Sequence, residues 1–73
     1  MNIETAKRVL ERVAEREMVS LDKVRSEIEL LIARERENPD PRVQDFWDCV
    51  PYAGDQITAE ELLIYLVDII NKA

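Results

Sequence analysis

The stretch VAEREMVSLDKV, residues 13–24, decides how this chain folds. Its first part ends an amphipathic helix, and its last part opens a second helix at Ser20. The Ser20 hydroxyl can accept a hydrogen bond from a free backbone N–H group of the first turn. Val19 and Val24 stand at the positions of a hydrophobic staple, which sets the direction in which the chain enters the helix. The stretch therefore predicts two helices joined by a tight turn, the layout of a helix-turn-helix.

Capping and proline signals place the remaining helix boundaries. Asn2 caps a first helix over residues 3–16, and the second helix covers residues 21–37. Asn38-Pro39-Asp40-Pro41 ends the second helix and begins a short third one over 41–49, because Pro39 restricts the residue before it and Pro41 suits a first helical position. Thr58-Ala59-Glu60-Glu61 is a capping box for a fourth helix over 59–72, with Ile57 and Leu62 as its staple. We expect one all-α domain over 1–73, a small orthogonal bundle of three to four helices without a sheet, containing a helix-turn-helix-like pair.

Helical spacing of the apolar residues predicts the core of this bundle. We expect it to contain Leu10, Val13, Val24, Ile28, Leu31, Phe46, Trp47, Leu62, Leu66 and Ile70. Leu30 falls on the other side of the second helix, and Ile64 and Tyr65 flank the core face of the fourth. These three residues are candidate protein-interface residues, and a homodimer that includes the fourth helix is expected. The alternative is that residues 38–57 fold back over them in a monomer.

The charge of the chain is unevenly distributed. Sixteen acidic residues outweigh ten basic ones, for a formal net charge of −6. Residues 1–37 are nearly balanced, so most of the excess lies in residues 38–73, where only Arg42 and Lys72 are basic. Such a domain gains little from counterion release on a phosphate backbone, so non-specific DNA binding is not expected.

Several classes of protein are excluded by residue content. Histidine is absent, so neither Cys49 nor a serine has the base that nucleophilic catalysis needs, and a structural zinc site is implausible. Glycine-rich phosphate loops are also absent. We expect no enzyme activity, no cofactor and no metal. A single cysteine cannot form an internal disulfide, and no segment resembles a signal peptide or a membrane span, so a cytoplasmic protein without membrane contact is expected.

A family resemblance rests on four stretches taken together. The first is the turn, around which Ala14, Val19 and Val24 have the spacing of five and five that a helix-turn-helix shows. The others are the helix start Ser20-Leu21-Asp22-Lys23-Val24, the break at 38–41 and the closing helix that begins Thr58-Ala59-Glu60-Glu61-Leu62-Leu63. The chain resembles small clostridial-type proteins that are named for similarity to the C-terminal effector domain of the master sporulation response regulator. The resemblance covers nearly all of this chain but only the later half of that effector domain. It implies a helical fold of the DNA-binding type and a spore-forming bacterial lineage.

The sequence also departs from that family. Met18 replaces the glycine that often occupies the turn, and Lys23 keeps the basic residue before the valine. Arg25 and Ser26 stand where the family has an acidic residue and then a basic one. Gln56-Ile57 replaces a basic-proline pair before the closing helix. Only Lys23 carries over directly, and Arg25 is selected for its chemistry alone.

Two functional hypotheses follow. In the first, the chain is a DNA-binding transcriptional regulator that places its second helix in a groove of DNA, with Lys23, Arg25 and Ser26 as the candidate nucleic-acid contacts. In the second, the helical frame has lost its nucleic-acid surface and serves as an acidic protein-binding adaptor or antagonist. The family resemblance favours the first hypothesis, and the acidic charge and the position of Leu30 favour the second.

Overall fold

Residues 1–72, which the computed structural model describes, form four α-helices and no strand. They are α1 (Ile3–Glu17), α2 (Leu21–Arg36), α3 (Pro41–Asp48) and α4 (Ala59–Lys72). The predicted all-α class is confirmed, and each helix begins and ends within one residue of its expected position. None of the four is both long enough and apolar enough to span a lipid bilayer.

The predicted caps of the first three helices are confirmed. The Asn2 side chain accepts from the backbone N–H of Thr5 at 2.9 Å, and the Ser20 hydroxyl accepts from that of Lys23 at 3.1 Å. Asp40 accepts from the N–H of Arg42 at 2.9 Å, with proline at the first helical position. These bonds satisfy donors that the first turn of a helix leaves free, and this is why the boundaries could be placed from local sequence.

The turn between α1 and α2 depends on Met18. This residue has a φ of 58°, in the left-handed region, where glycine is the usual occupant. Its N–H donates to the carbonyl of Glu15 at 3.2 Å, and the N–H of Val19 donates to that of Ala14 at 3.0 Å. The turn therefore satisfies the last carbonyls of α1 while it reverses the chain toward α2.

Two hydrophobic clusters hold the helices together. In the first, α1, α2 and α4 meet at Leu10, Ala14, Val24 and Ala59. In the second, α2 and α3 enclose the connection to α4 at Ile32, Trp47, Val50 and Ile57. Ile28 of α2 packs against both clusters and joins them. The backbone of α1 lies close to those of α2 and α4. Among the four described helices, the backbone of α3 lies close to that of α2 alone.

Part of the predicted core is wrong. Val13, Leu31, Leu66 and Ile70 are all exposed large hydrophobic residues, whereas the adjacent Ala14 and Ile32 are buried. The small side chains of Ala6, Ala14 and Ala59 line the centre instead. Small residues let helices approach closely, so each helix is rotated about its own axis and does not turn its widest apolar stripe toward the core. Ile70 lies in the last turn of α4, and 70% of it is exposed.

Candidate interaction surface on α1 and α2

The three candidate nucleic-acid contacts do not form one exposed set. Lys23 and Ser26 are exposed on α2, but Arg25 is partly buried. The Arg25 guanidinium donates to Glu60 Oε2 at 2.6 Å, and Glu60 is buried in the first turn of α4. Arg25 is therefore engaged in holding α2 to α4. Its Nε is buried without a hydrogen-bond partner among the described residues.

A second carboxylate joins the same two helices. Glu29 Oε2 accepts from the backbone N–H of Ala59 at 3.0 Å, at the positive N-terminus of α4. Arg25 and Glu29 are one turn apart on α2 and so face α4 together. We call Arg25, Glu29, Ala59 and Glu60 the α2–α4 polar junction. The roles of Glu29 and Glu60 could not be predicted from the sequence. The available signals were the i,i+4 spacing of Arg25 and Glu29 and the strongly predicted start of α4.

The predicted capping box of α4 is confirmed. The N–H of Glu61 donates to the Thr58 hydroxyl at 3.1 Å, and Glu61 Oε1 accepts from the N–H of Thr58 at 2.9 Å. Glu61 Oε2 also accepts from the N–H of Ala53 at 2.8 Å, which attaches the preceding loop to the helix. Partial burial acts to raise the pKa of Glu61, but the hydrogen bonds from Thr58 and Ala53 outweigh it, so the pKa lies below its ordinary value.

The outward surface of α2 is apolar at its centre and balanced in charge. Within this helix the exposed charged residues are Asp22, Lys23, Glu27 and Arg34. The neighbouring leucines Leu30 and Leu31 are 60% and 53% exposed. Two cations and two carboxylates cancel, so this surface has no net positive charge to offer a phosphate backbone.

An apolar groove of about 500 Å³ lies between α1 and α2. Its apolar lining consists of Val13, Val19, Val24, Ile28 and Leu31, and its charged lining of Glu17, Lys23 and Glu27. Val24 is buried and Ile28 half-buried, whereas Val13 and Leu31 are the more exposed apolar residues. Val13 and Leu31, both expected in the core, thus line this groove instead. We refer to it as the α1–α2 groove.

The candidate protein-interface residues fall into two groups. Leu30 is exposed on α2 and does not line the α1–α2 groove. Ile64 and Tyr65 are half-buried, and the Tyr65 ring lies edge-on to Phe46 of α3 with 5.6 Å between centroids. Residues of the 38–57 segment thus contact Tyr65, as the monomer alternative requires. The more exposed apolar side chains of α4 are Leu66, Ile69 and Ile70.

A smaller cavity of about 200 Å³ lies on the opposite side of α2 from the α1–α2 groove. It is lined by Glu29, Ile32, Ala33, Arg36, Gln56 and Ile57. The one carboxylate there, Glu29, is already bonded to the start of α4. Within residues 1–72, no three His, Cys, Asp or Glu side chains are grouped so that they could hold a metal ion.

Comparisons with protein-family models, with curated proteins and with solved structures found no significant match to this chain. The resemblance to the sporulation-regulator effector class therefore stays a prediction that rests on the residues that carry it.

Proposed function

We propose that this chain is a protein-interaction module, an adaptor or antagonist that uses a helical frame without a nucleic-acid surface. The observation that carries the proposal is the outward surface of α2, where Leu30 and Leu31 are both more than half exposed and the charges balance. Exposed leucines beside balanced charges suit contact with another protein, whereas a helix that reads DNA presents cations and hydrogen-bonding side chains.

The electrostatics of the chain support the same proposal. With Arg25 bonded to Glu60, the cations that α2 leaves exposed are Lys23 and Arg34. The formal net charge is −6, so each phosphate contact would form against the repulsion of the remaining carboxylates. A protein partner with a basic surface meets no such repulsion.

The accessible surface of the molecule is large for its mass. The chain exposes 5612 Å², whereas a monomer of its 8.5 kDa mass is expected to expose about 4,700 Å². The helices therefore leave more surface uncovered than is typical of a compact chain of this mass.

A selection experiment and a DNA titration test the proposal together. A library of displayed helical peptides is panned against the immobilised protein, and pooled genomic fragments are titrated with the protein at about 50 mM salt, where phosphate contacts are strongest. We expect saturable peptide binders and no DNA complex. Failure to select any binder would overturn the proposal, and so would a DNA complex that Lys23→Ala weakens.

DNA binding is the second candidate function, and one observation favours it. Lys23 is exposed in the first turn of α2, directly after the tight turn, at the end of the helix that reads bases in helix-turn-helix proteins. The DNA-binding hypothesis requires a complex at low salt whose affinity falls with Lys23→Ala. The same titration therefore decides between the two candidates.

A second copy of the chain is a further proposed partner. The exposed apolar residues Leu66, Ile69 and Ile70 of α4 give a homodimer a surface, whereas Tyr65 already packs within its own chain. Sedimentation equilibrium of the protein and of Ile69→Glu tests this proposal. A dimer that the substitution dissociates supports it, and a monomer at about 100 μM would overturn it.

A further inference from the structure

We propose that the α1–α2 groove binds a basic amphipathic helix of a partner protein. This inference rests on the proposed protein-interaction function and adds both the site and the chemistry of the partner. The groove lies between two helices and has an apolar lining with charged residues among it, the arrangement in which proteins take up an amphipathic helix.

The length of the groove matches two turns of a partner helix. Its apolar lining on α2 extends from Val24 to Leu31, seven residues along the helix. At 1.5 Å per residue this is a span of about 10 Å, the distance between positions i and i+7 of another α-helix. We therefore infer that the partner inserts apolar side chains spaced i, i+4 and i+7, with its axis roughly along α2.

The charges of the groove identify the flanking residues of the partner. Glu17 and Glu27 line it with a single cation, Lys23. The whole chain carries a formal charge of −6, which favours the approach of a basic segment over an acidic one, but most of this charge lies in residues 38–73, so the preference at the groove itself comes from the two carboxylates. Lys or Arg residues beside the apolar positions of the partner would pair with the two carboxylates.

Adjacent leucines of α2 supply a matched pair of variants. Leu31 lines the groove and Leu30 does not, yet both are leucines more than half exposed on the same helix. Leu31→Asp and Leu30→Asp therefore introduce the same charge at sites of similar exposure. Circular dichroism and the fluorescence of Trp47, the single tryptophan, check that both variants fold.

The test uses a synthetic peptide as the probe. A fluorescein-labelled helix of about 17 residues carries Leu at i, i+4 and i+7 and Lys at the flanking positions, and a second peptide has Glu in place of every Lys. Fluorescence anisotropy with the full chain measures both affinities. We expect the Lys peptide to bind, Leu31→Asp to weaken it at least about tenfold, Leu30→Asp to change it less than about twofold, and Glu27→Lys to weaken it.

Each contrary outcome overturns a defined part of the proposal. If Leu30→Asp weakens the Lys peptide and Leu31→Asp does not, the groove is excluded while the protein-interaction function stands. If the Glu peptide binds as tightly as the Lys peptide, the chemistry of the partner is wrong. If the protein self-associates and Leu31→Asp abolishes this, a second copy occupies the groove instead. If neither peptide binds while the displayed library yields binders, the groove proposal fails alone.

Discussion

Met18 has a strained backbone conformation, and contacts of its side chain do not offset the strain. A non-glycine residue in the left-handed region costs about 1–2 kcal/mol, and the Met18 side chain is 91% exposed, so it adds little packing. We expect Met18→Gly to raise the free energy of unfolding by about 0.5–1 kcal/mol, after the greater freedom of glycine in the unfolded chain is subtracted. Urea unfolding followed by Trp47 fluorescence measures the change.

Alanine at the same position provides the control. Met18→Ala keeps a Cβ atom, and therefore the strain, while it removes the same exposed side chain. Its stability should lie within about 0.5 kcal/mol of the parent protein. Equal stabilisation by glycine and alanine would show that the turn is not strained.

Arg25 contributes to stability because its removal strands a buried charge. Arg25→Ala leaves the Glu60 carboxylate buried without its cation, and we expect the free energy of unfolding to fall by about 1–3 kcal/mol. Lys23→Ala, at an exposed site two residues earlier, should change it by less than about 0.5 kcal/mol. Thermal unfolding of both variants measures the difference.

Pairing the substitution with Glu60→Gln separates this explanation from a loss of packing. The neutral amide removes the stranded charge, so the double variant should be more stable than Arg25→Ala alone. If the double variant is less stable, the pair is not the reason. Because Arg25→Ala is expected to lower the stability of the protein, Lys23→Ala is the substitution that reports on DNA contact.

The capping box at the start of α4 makes the free energy of unfolding depend on pH. The folded-state pKa of Glu61 lies below its ordinary value of 4.5, so its contribution is fully present above that pH and is lost as the pH falls through the folded-state pKa. Glu61→Gln keeps one carbonyl oxygen for the N–H of Thr58 but loses the second acceptor and the charge. We expect it to reduce stability at pH 7 by up to about 1 kcal/mol.

The pH dependence of that difference is the decisive measurement. Urea unfolding of both proteins from pH 7 down to pH 3 should show their stabilities converging below pH 4.5, where the unfolded-state carboxyl becomes protonated. A gap of constant size over this range would mean that the charge of Glu61 contributes nothing. The side-chain bond with Arg42 and the backbone N–H of Arg42 also lower the pKa of Asp40. The contribution of Asp40 to stability is therefore lost over a similar pH range, but equally in both proteins.

Alanine substitutions at the neighbouring positions Leu31 and Ile32 should lower the free energy of unfolding by different amounts, because only Ile32 faces the interior. Ile32 is buried in the second cluster, so Ile32→Ala should lower the free energy of unfolding by about 2–5 kcal/mol. Leu31→Ala removes a side chain that is more than half exposed and should cost less than about 1 kcal/mol. Urea unfolding gives both values, and equal costs would contradict the orientation of α2 described here.

The same two residues show how far sequence can be taken. Helix boundaries could be predicted because caps, prolines and staples act within a few residues of one another. The rotation of a helix about its own axis could not, since Leu31 and Ile32 both fit an apolar stripe and the neighbouring helices decide which is buried. The α2–α4 polar junction joins residues 30 and 35 positions apart, and no local pattern pairs Arg25 with Glu60 rather than with another carboxylate.

The whole molecule is less compact than its length requires. Its radius of gyration is 12.8 Å, against about 11 Å for a closely packed domain of 73 residues. Its extents of 36, 26 and 22 Å describe an elongated body, because α3 is short and packs against α2 without reaching α1. The α1–α2 groove and the exposed end of α4 therefore stay uncovered.

Ile28 connects the two hydrophobic clusters, so a ligand bound beside it should stabilise both. Its side chain packs against both hydrophobic clusters and also lines the α1–α2 groove. A helix bound in the groove stabilises the native state of the whole chain, so amide hydrogen exchange should slow in α3, although no residue of α3 lines the groove. At a peptide concentration ten times its Kd, the slowest α3 amides should exchange about tenfold more slowly. In Ile28→Ala this protection of α3 should be smaller, because one of the side chains that connect the groove to both clusters is lost while Val24 and Ile32 still join the clusters through α2.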